Sequence, residues 1–318
     1  MNLNQLRFVR ETVRQNFNLS AAAAALFTSQ PGVSKAIIEL ERELGVEIFV
    51  RHGKRIKTLT EPGRAALPVI ERLLNEVDNL KRVGEEFATR DHGALVVATT
   101  HTQARYTLPR VVRAFKERYP EVRLSLLQGS PSQIAEMVLR GVAHIAVATE
   151  AIAEIEGLVS VPCFFWEHSV VVPHGHQLIE TCAGKPLTLD MLAKYPLVTY
   201  DSAFAGRARI DQAFAQRQIT PDIVLEAIDA DVIKTYVEAG FGVGIVAGIA
   251  YDPARDRELA AMPAGHLFGR NVTHLAVQKG AWLRAYAYTF IELLAPEYNR
   301  TMMESLLSGG KDTESWQL

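Results

Sequence analysis

Gln30, Ser34 and Lys35 are residues whose types and spacing could do chemistry together. They fall off an apolar stripe of Val33, Ile37, Leu40 and Leu44, at helical spacing, on what reads as the N-terminal half of one helix. An amide, a hydroxyl and an ammonium group placed there can reach base edges and phosphates in a DNA major groove. Ile38 is also off the stripe; it either touches a thymine methyl or is simply an exposed apolar residue. A second candidate is the run Thr99-Thr100-His101-Thr102-Gln103-Ala104-Arg105-Tyr106. It sits where an apolar strand over 95–98 turns into a helix. Thr100, Thr102 and Gln103 donate hydrogen bonds without adding charge, and a helix N-terminus adds free N–H groups, which together suit a reversibly bound anion. A capped helix start with incidental polar residues accounts for the local chemistry equally well.

Other patterns carry less. Gly240-Phe241-Gly242-Val243-Gly244 resembles a dinucleotide loop, but it follows a helical pattern over 232–239 and precedes a strand, the reverse of the order that puts a phosphate on a helix N-terminus. Gly240 is read as a helix C-cap instead. His174-Gly175-His176 lacks a carboxylate or Cys cluster to complete a metal site. No metal site, enzyme cofactor or catalytic group is expected, since no Ser-His-Asp or paired-carboxylate spacing stands out.

The elements that must position Gln30 and its neighbours can be built from the residues. Leu3, Leu6, Val9 and Val13 predict a helix over 3–15. Ser20 is the candidate N-cap of a short helix over 21–26. Thr28 or Ser29 caps a third helix, Pro31 is tolerated in its first turn, and Gly45 ends it. Two strand-like runs, 46–50 and 55–59, surround Arg51-His52-Gly53-Lys54-Arg55. Arg51, Lys54 and Arg55 then form a basic wing along the phosphate backbone. Residues 1–63 thus read as a winged helix-turn-helix, whose DNA-contacting residues would be Ser29, Gln30, Pro31, Ser34, Lys35, Arg51, Lys54 and Arg55.

Residues 64–90 follow as a linker helix. Ile70, Leu73, Val77, Leu80 and Phe87 fall at a/d spacing, with Gly84 at a weak position, which suits pairing with a copy of itself. From 91 to 300 strands alternate with helices. This predicts parallel α/β sheets in two lobes, about 91–162 with 267–300 and about 163–266, with a small-molecule cleft between them. Residues 301–318 are assigned to a C-terminal tail, polar and Gly-rich from Ser308.

Composition agrees with this division. The 318 residues are 48% hydrophobic, enough for two or three cores, and carry a formal net charge of −2. Residues 1–60 hold 9 Lys+Arg against 5 Asp+Glu, a net of +4, and the other 258 hold 25 against 31, a net of −6. The basic excess sits with the motif. Two cysteines, Cys163 and Cys182, exclude a disulfide framework and are read as free thiols. Without a signal peptide or a bilayer-spanning apolar run, a cytoplasmic protein with no membrane partner is expected.

The N-terminal stretch resembles the DNA-binding domain of LysR-type transcriptional regulators. The resemblance rests on Phe8, Leu19-Ser20-Ala21-Ala22, Leu26, Ser29-Gln30-Pro31, Val33-Ser34, Leu40-Glu41, Leu44-Gly45, Ile48-Phe49, Arg51, Leu59-Thr60 and Pro62-Gly63. The run 99–106 is similar to the signature of the CysB and Cbl branch of that family, as are Gln128-Gly129-Ser130-Pro131, Ala148-Thr149-Glu150 and residues 229–236. The resemblance implies a two-lobed effector domain similar to periplasmic binding proteins, and dimers through the linker helix that pair into tetramers. It also implies double-stranded promoter DNA as partner, and RNA polymerase if the protein is an activator. The effector would be sulfate, thiosulfate, an acetylserine-type metabolite or adenosine phosphosulfate, with Thr100, Thr102, Gln103 and Thr149 lining a sulfate-sized pocket. The branch carries a Thr before a Gly-Arg pair where this chain has Ala205, so a hydroxyl is lost there; Ser202 is the nearby candidate to replace it. The expected function is a DNA-binding regulator of sulfur assimilation or organosulfur use. A LysR-type regulator of an unrelated metabolite, and a binding protein or enzyme with a non-DNA-binding helical bundle, are the alternatives.

Overall fold

The computed structural model describes residues 1–53, 55–88 and 92–309, without the side chains of 85–88 and Ala205. Lys54, one of the expected DNA contacts, lies outside the described residues. The chain divides into two units, Met1–Phe87 and Ala88–Leu318.

The first unit opens with α1 (Leu3–Arg14), started by a reciprocal cap: Asn2 Oδ1 accepts from Gln5 N and Gln5 Oε1 accepts from Asn2 N. Helix α2 (Leu19–Ala25) is capped by Asn18 rather than Ser20; Asn18 Oδ1 accepts from Ser20 N and Ala21 N. The left-handed turn at Asn16 and Phe17 delivers the chain to Asn18, so the helix starts earlier than expected. Helix α3 (Gln30–Leu44) begins on the Ser29 cap and ends at Gly45, whose φ of 72° is left-handed. Val33, Ile37 and Leu40 are fully buried, together with Leu6, Val9, Ile48 and Phe49. Leu44 is exposed, and Glu41 takes the buried place expected for it. The Glu41 carboxylate accepts from Ile48 N, Phe49 N and Arg51 Nη2 at 2.9, 3.1 and 2.8 Å. These bonds hold residues 46–48 at the helix exit, so strand β1 (Phe49–His52) starts three residues later than predicted and pairs antiparallel with β2 (Arg55–Leu59).

Helix α4 (Glu61–Ala88) starts inside the segment expected to belong to the winged module. Its first turn is pressed against the wing, where a Cβ on Gly63 would lie 2.0 Å from Ile48 O. Ile70 and Leu74 are buried in the core of this unit, whereas Val69, Leu73 and Leu80 are exposed. Ile70 therefore leaves the expected seam, because its face covers α3 and the wing core. The apolar stripe left open runs through Val69, Leu73 and Leu80, with Val77 half-buried along it.

The second unit contains β3 (Gly93–Thr99), α5 (Leu108–Arg118), β4 (Val122–Gln128), α6 (Pro131–Leu139) and β5 (Ile145–Thr149), then the long β6 (Leu158–Pro173). It continues with α7 (Gln177–Thr181), α8 (Leu189–Leu192), β7 (Leu197–Tyr200), α9 (Ala205–Gln216), β8 (Ile223–Ala227), α10 (Ala230–Glu238) and β9 (Val243–Ala247). It closes with β10 (Leu259–Pro263), α11 (Gly265–Phe268), β11 (Arg270–Gln278), α12 (Ala285–Leu294) and α13 (Arg300–Leu307). Strands β3, β4 and β5 are parallel, as are β7, β8 and β9. The sheets are nevertheless mixed. Strand β6 leaves the first lobe and β11 returns to it, so the two lie side by side and antiparallel. Up to Glu167, β6 pairs with β11; from His168 it pairs with β9 and β10. The lobes therefore meet at Glu167 and His168. Residues 301–307, assigned to a tail, form helix instead: Asn299 caps α13, and Met303, Leu306 and Leu307 bury a stripe at helical spacing in the first lobe's core. Residues 310–318 lie outside the described residues.

Candidate functional site

On the first unit, α3 presents exposed Gln30, Pro31 and Lys35, with Ser34 half-buried beside them and Ile38 42% exposed. Ser29 is exposed, but its Oγ already accepts from Gly32 N at 3.3 Å. Arg55 is exposed on the wing. Arg51 differs from expectation: it is tied to the buried Glu41 and braces the entry to the wing. Phe27, in the turn before α3, is 98% exposed at a φ of 51°. It was not foreseen, since a lone Phe between two helices reads as core.

In the second unit, Thr100 directly follows β3 and a helix starts at once. Ala104 N donates back to Thr100 O at 3.0 Å, which leaves the preceding N–H groups of the first turn without helical partners. A π-type turn over Gln103–Thr107 then widens the helix before α5. Thr100, Thr102, Gln103 and Thr149 are brought together on one cavity of about 380 Å³, including its open mouth. Trp166, Tyr200, Phe204, Gly206 and Ala247 form the rest of the lining. None of the lining residues is charged, so an anion here would be held by dipoles and hydrogen bonds. The start of α9, which no side chain caps, faces the cavity through Gly206, so each lobe contributes a helix N-terminus. A Cβ on Gly206 would meet His168 Nε2 at 3.1 Å and Trp166 at 3.2 Å, so any larger residue would push these two rings back by a few tenths of an ångström.

Three buried polar atoms on this lining have no partner: Gln103 Oε1, Thr149 Oγ1 and Trp166 Nε1. Leaving such atoms unpaired costs roughly 1–3 kcal/mol each, so the cavity is built to be occupied by something polar. Trp166 was missed because a single Trp in an apolar strand gives no sign of which face its N–H reaches. Ser202 is exposed and does not line the cavity. Asp201 Oδ1 accepts from Ala203 N in a tight turn beside it. The side chain of Ala205 lies outside the described residues.

Comparison with known proteins decides the family. The model for the bacterial regulatory helix-turn-helix protein, lysR family, matches residues 3–64, and that for the LysR substrate binding domain matches residues 88–299. The chain belongs to the LysR family of transcriptional regulators. It is 62% identical over 318 residues to the HTH-type transcriptional regulator CysB of Burkholderia cenocepacia, covering 100% of both chains. It is 55% identical to the regulator SsuR of the same organism over 96% of this chain and 99% of that one. With the regulator cbl of Escherichia coli K12 the identity is 47%, over 96% and 97%. These relatives are regulators, not enzymes. The solved cofactor-binding domain of the Cbl transcriptional regulator superposes with a TM-score of 0.66 at 42% identity, over 69% of this chain and 95% of that one. Full-length CbnR with its target DNA shares the fold, with a TM-score of 0.53 at 22% identity over 92% and 99%.

The LysR effector lobes of this chain are also joined by polar contacts across the cleft. Arg105 Nε lies 2.8 Å from Asp231, and the Tyr106 hydroxyl donates to Asp231 Oδ1 at 2.6 Å. Lys234 donates to Tyr106 at 3.0 Å and to the buried Asp256 at 2.8 Å. Burial opposes the charge on Lys234, but these bonds outweigh it and raise its pKa. On another side Arg209 Nε meets Glu150 Oε1 at 3.1 Å. Thr102 hydrogen-bonds the Tyr200 hydroxyl, which burial keeps protonated and which accepts from Ala247 N. Among the described residues, His101, Asp229 and Asp231 come close enough to hold a cation. Arg105 and Lys234 already neutralise Asp231, so the group serves the contact between the lobes.

The other sequence motifs resolve structurally. Gly240 and Gly242 form the turn between α10 and β9, and His176 caps α7 through Nδ1. Cys163 and Cys182 are free, and burial pushes the Cys163 thiol up to about 12. Among the described residues no helix is long and apolar enough to cross a membrane.

Proposed function

We propose that this LysR-family regulator controls genes of sulfur assimilation or organosulfur use, and that a small sulfur-containing oxyanion in the effector cavity sets its activity. The observation that carries the reading is the uncharged cavity with three unpartnered buried polar atoms, on Gln103, Thr149 and Trp166, beside the helix N-terminus at Thr100. Thr100, Thr102, Gln103, Thr149 and Trp166 would hold the anion. The relatives at 62%, 55% and 47% identity are LysR-type regulators of sulfur assimilation, which supports the sulfur part of this reading. Promoter DNA would be read by Gln30, Ser34 and Lys35, with Lys54 and Arg55 on the phosphates, in dimers paired through the linker helix and assembled as tetramers.

Calorimetry on the whole chain with sulfate, thiosulfate and acetylserine tests the ligand class. Thr149→Val keeps shape and removes one donor. It should lose roughly 1.5–3 kcal/mol of anion affinity, about ten- to a hundredfold. A variant that binds every such anion as tightly as the native chain would disprove the site. Equal affinity for a promoter fragment and its scrambled version would refute specific DNA reading.

A further inference from the structure

Gln103 brings two chemically opposite ends to the cavity wall. Its Nε2 lies 3.0 Å from Thr273 Oγ1, while its Oε1 is buried without a partner. Gln103 is 2% exposed and Thr273 fully buried, so bulk solvent does not compete for either. Thr273 stands on β11 directly opposite Thr149 on β5, whose hydroxyl is also unpartnered.

An amide's oxygen and nitrogen have nearly the same shape, and a half-turn about the last side-chain bond exchanges them without disturbing the packing. A threonine hydroxyl has one donor and two acceptor sites. The contact between Gln103 and Thr273 therefore survives the half-turn. In one orientation the hydroxyl accepts from Nε2 and the amide shows its carbonyl to the cavity. In the other the hydroxyl donates to Oε1 and the amide shows its N–H groups. An oxyanion without a proton offers acceptors only, so it pairs with the second orientation and is repelled by the first.

We propose that Thr273 is a positioning residue of the effector cavity: its hydroxyl donates to Gln103 Oε1 and so turns Gln103 Nε2 onto a bound oxyanion. Because the same hydroxyl also accepts, the reverse orientation lets Gln103 Oε1 receive the proton of an oxyanion that carries one. The cavity thus takes sulfate-like and hydrogen-phosphate-like anions alike, which a wall of fixed donors would not do. This inference rests on the effector reading above.

The test is calorimetry of the whole chain at neutral pH with sulfate and with inorganic phosphate. The native chain should bind hydrogen phosphate within about tenfold of sulfate. Thr273→Val should weaken sulfate binding by about tenfold or more, whereas Thr273→Ser should stay within about twofold of the native value. Rescue by serine separates positioning through a hydroxyl from mere filling of space. If Thr273→Val does not fold, Thr273→Ala carries the same comparison with serine. A hydroxyl-free variant that binds sulfate like the native chain, or a serine variant as weak as valine, would overturn the role of Thr273. A preference for sulfate over phosphate beyond about tenfold would overturn the two-way amide. If the native chain binds neither sulfate nor thiosulfate, the effector reading falls and this inference with it.

Discussion

His168 stands on β6 where that strand changes partner from β11 to β9. It lies in an apolar strand, is 1% exposed, and packs against Trp166 and Phe268. Burial lowers its pKa from 6.5 to about 4, so it stays neutral at physiological pH. The unfolded chain takes up a proton near 6.5 and the folded chain does not. Stability should therefore be full above about pH 6.5, decline as pH falls towards 4, and be flat below that. A depression of this size corresponds to at most about 3 kcal/mol. His168→Gln should remove that part of the slope, seen in denaturant melts of the two proteins between about pH 4 and 7. His274, lowered by burial as well, contributes the same sign, so the difference between the proteins is the measured quantity. An identical slope would mean that His168 is not a buried neutral base. Thr100, Thr102 and Gln103 stood out as polar residues at a strand end, but their local chemistry fitted a helix cap equally well, and only the family resemblance joined Thr149 to them; the structure adds that all four line one cavity. Trp166 and Thr273 did not stand out, because which way a strand residue faces depends on neighbours far along the chain.

At the scale of elements, spacing foretold the helices well wherever one face decides burial. It failed where one residue had two suitors. Leu44 and Ile70 each match an apolar stripe, but Glu41 replaces the first in the core, and α3 with the wing claims the second. A carboxylate can be buried there because two N–H groups and Arg51 satisfy it, a partnership spread over residues 41–51 that helical periodicity cannot display. On α4 the result is a stripe of Val69, Leu73 and Leu80 open to solvent, the last 72% exposed. Such a stripe on a 28-residue helix suits a second copy of itself. Leu80→Glu would set two like charges against each other in that pairing. Sedimentation of the variant should show dissociated pairs at concentrations where the native chain is assembled. An unchanged assembly would move the interface elsewhere.

At the scale of the whole effector unit, the alternation of strands and helices revealed two α/β lobes but concealed the antiparallel crossing strands β6 and β11, whose pairing joins segments about a hundred residues apart. Any turning of one lobe against the other would have to bend the chain at this crossing at Glu167 and His168. Opposing that motion are the pairs that span the cleft: Arg105 and Tyr106 with Asp231, and Glu150 with Arg209. Each joins a residue of one lobe to a residue of the other, so opening the lobes must strain them. Their side chains are about a third exposed, so each pair is worth only about 0.2–1 kcal/mol and is weakened by salt. Asp231→Asn keeps an acceptor for Tyr106 and removes the charge facing Arg105. A ligand that binds the closed lobes must then supply the lost closing energy, which lowers its apparent affinity by the drop in the closed population. For about 0.5–1 kcal/mol the expected loss is about two- to fivefold in sulfate affinity. Glu150→Gln should add a similar factor, because the two pairs share no residue. The native protein should also lose affinity as an inert salt is raised, and the double variant should lose less. Calorimetric titrations with sulfate at low and high sodium chloride measure both effects. If the double variant binds sulfate as tightly as the native chain at low salt, the ion pairs do not hold the lobes closed, and closure must rest on Thr102, Tyr200 and the ligand itself.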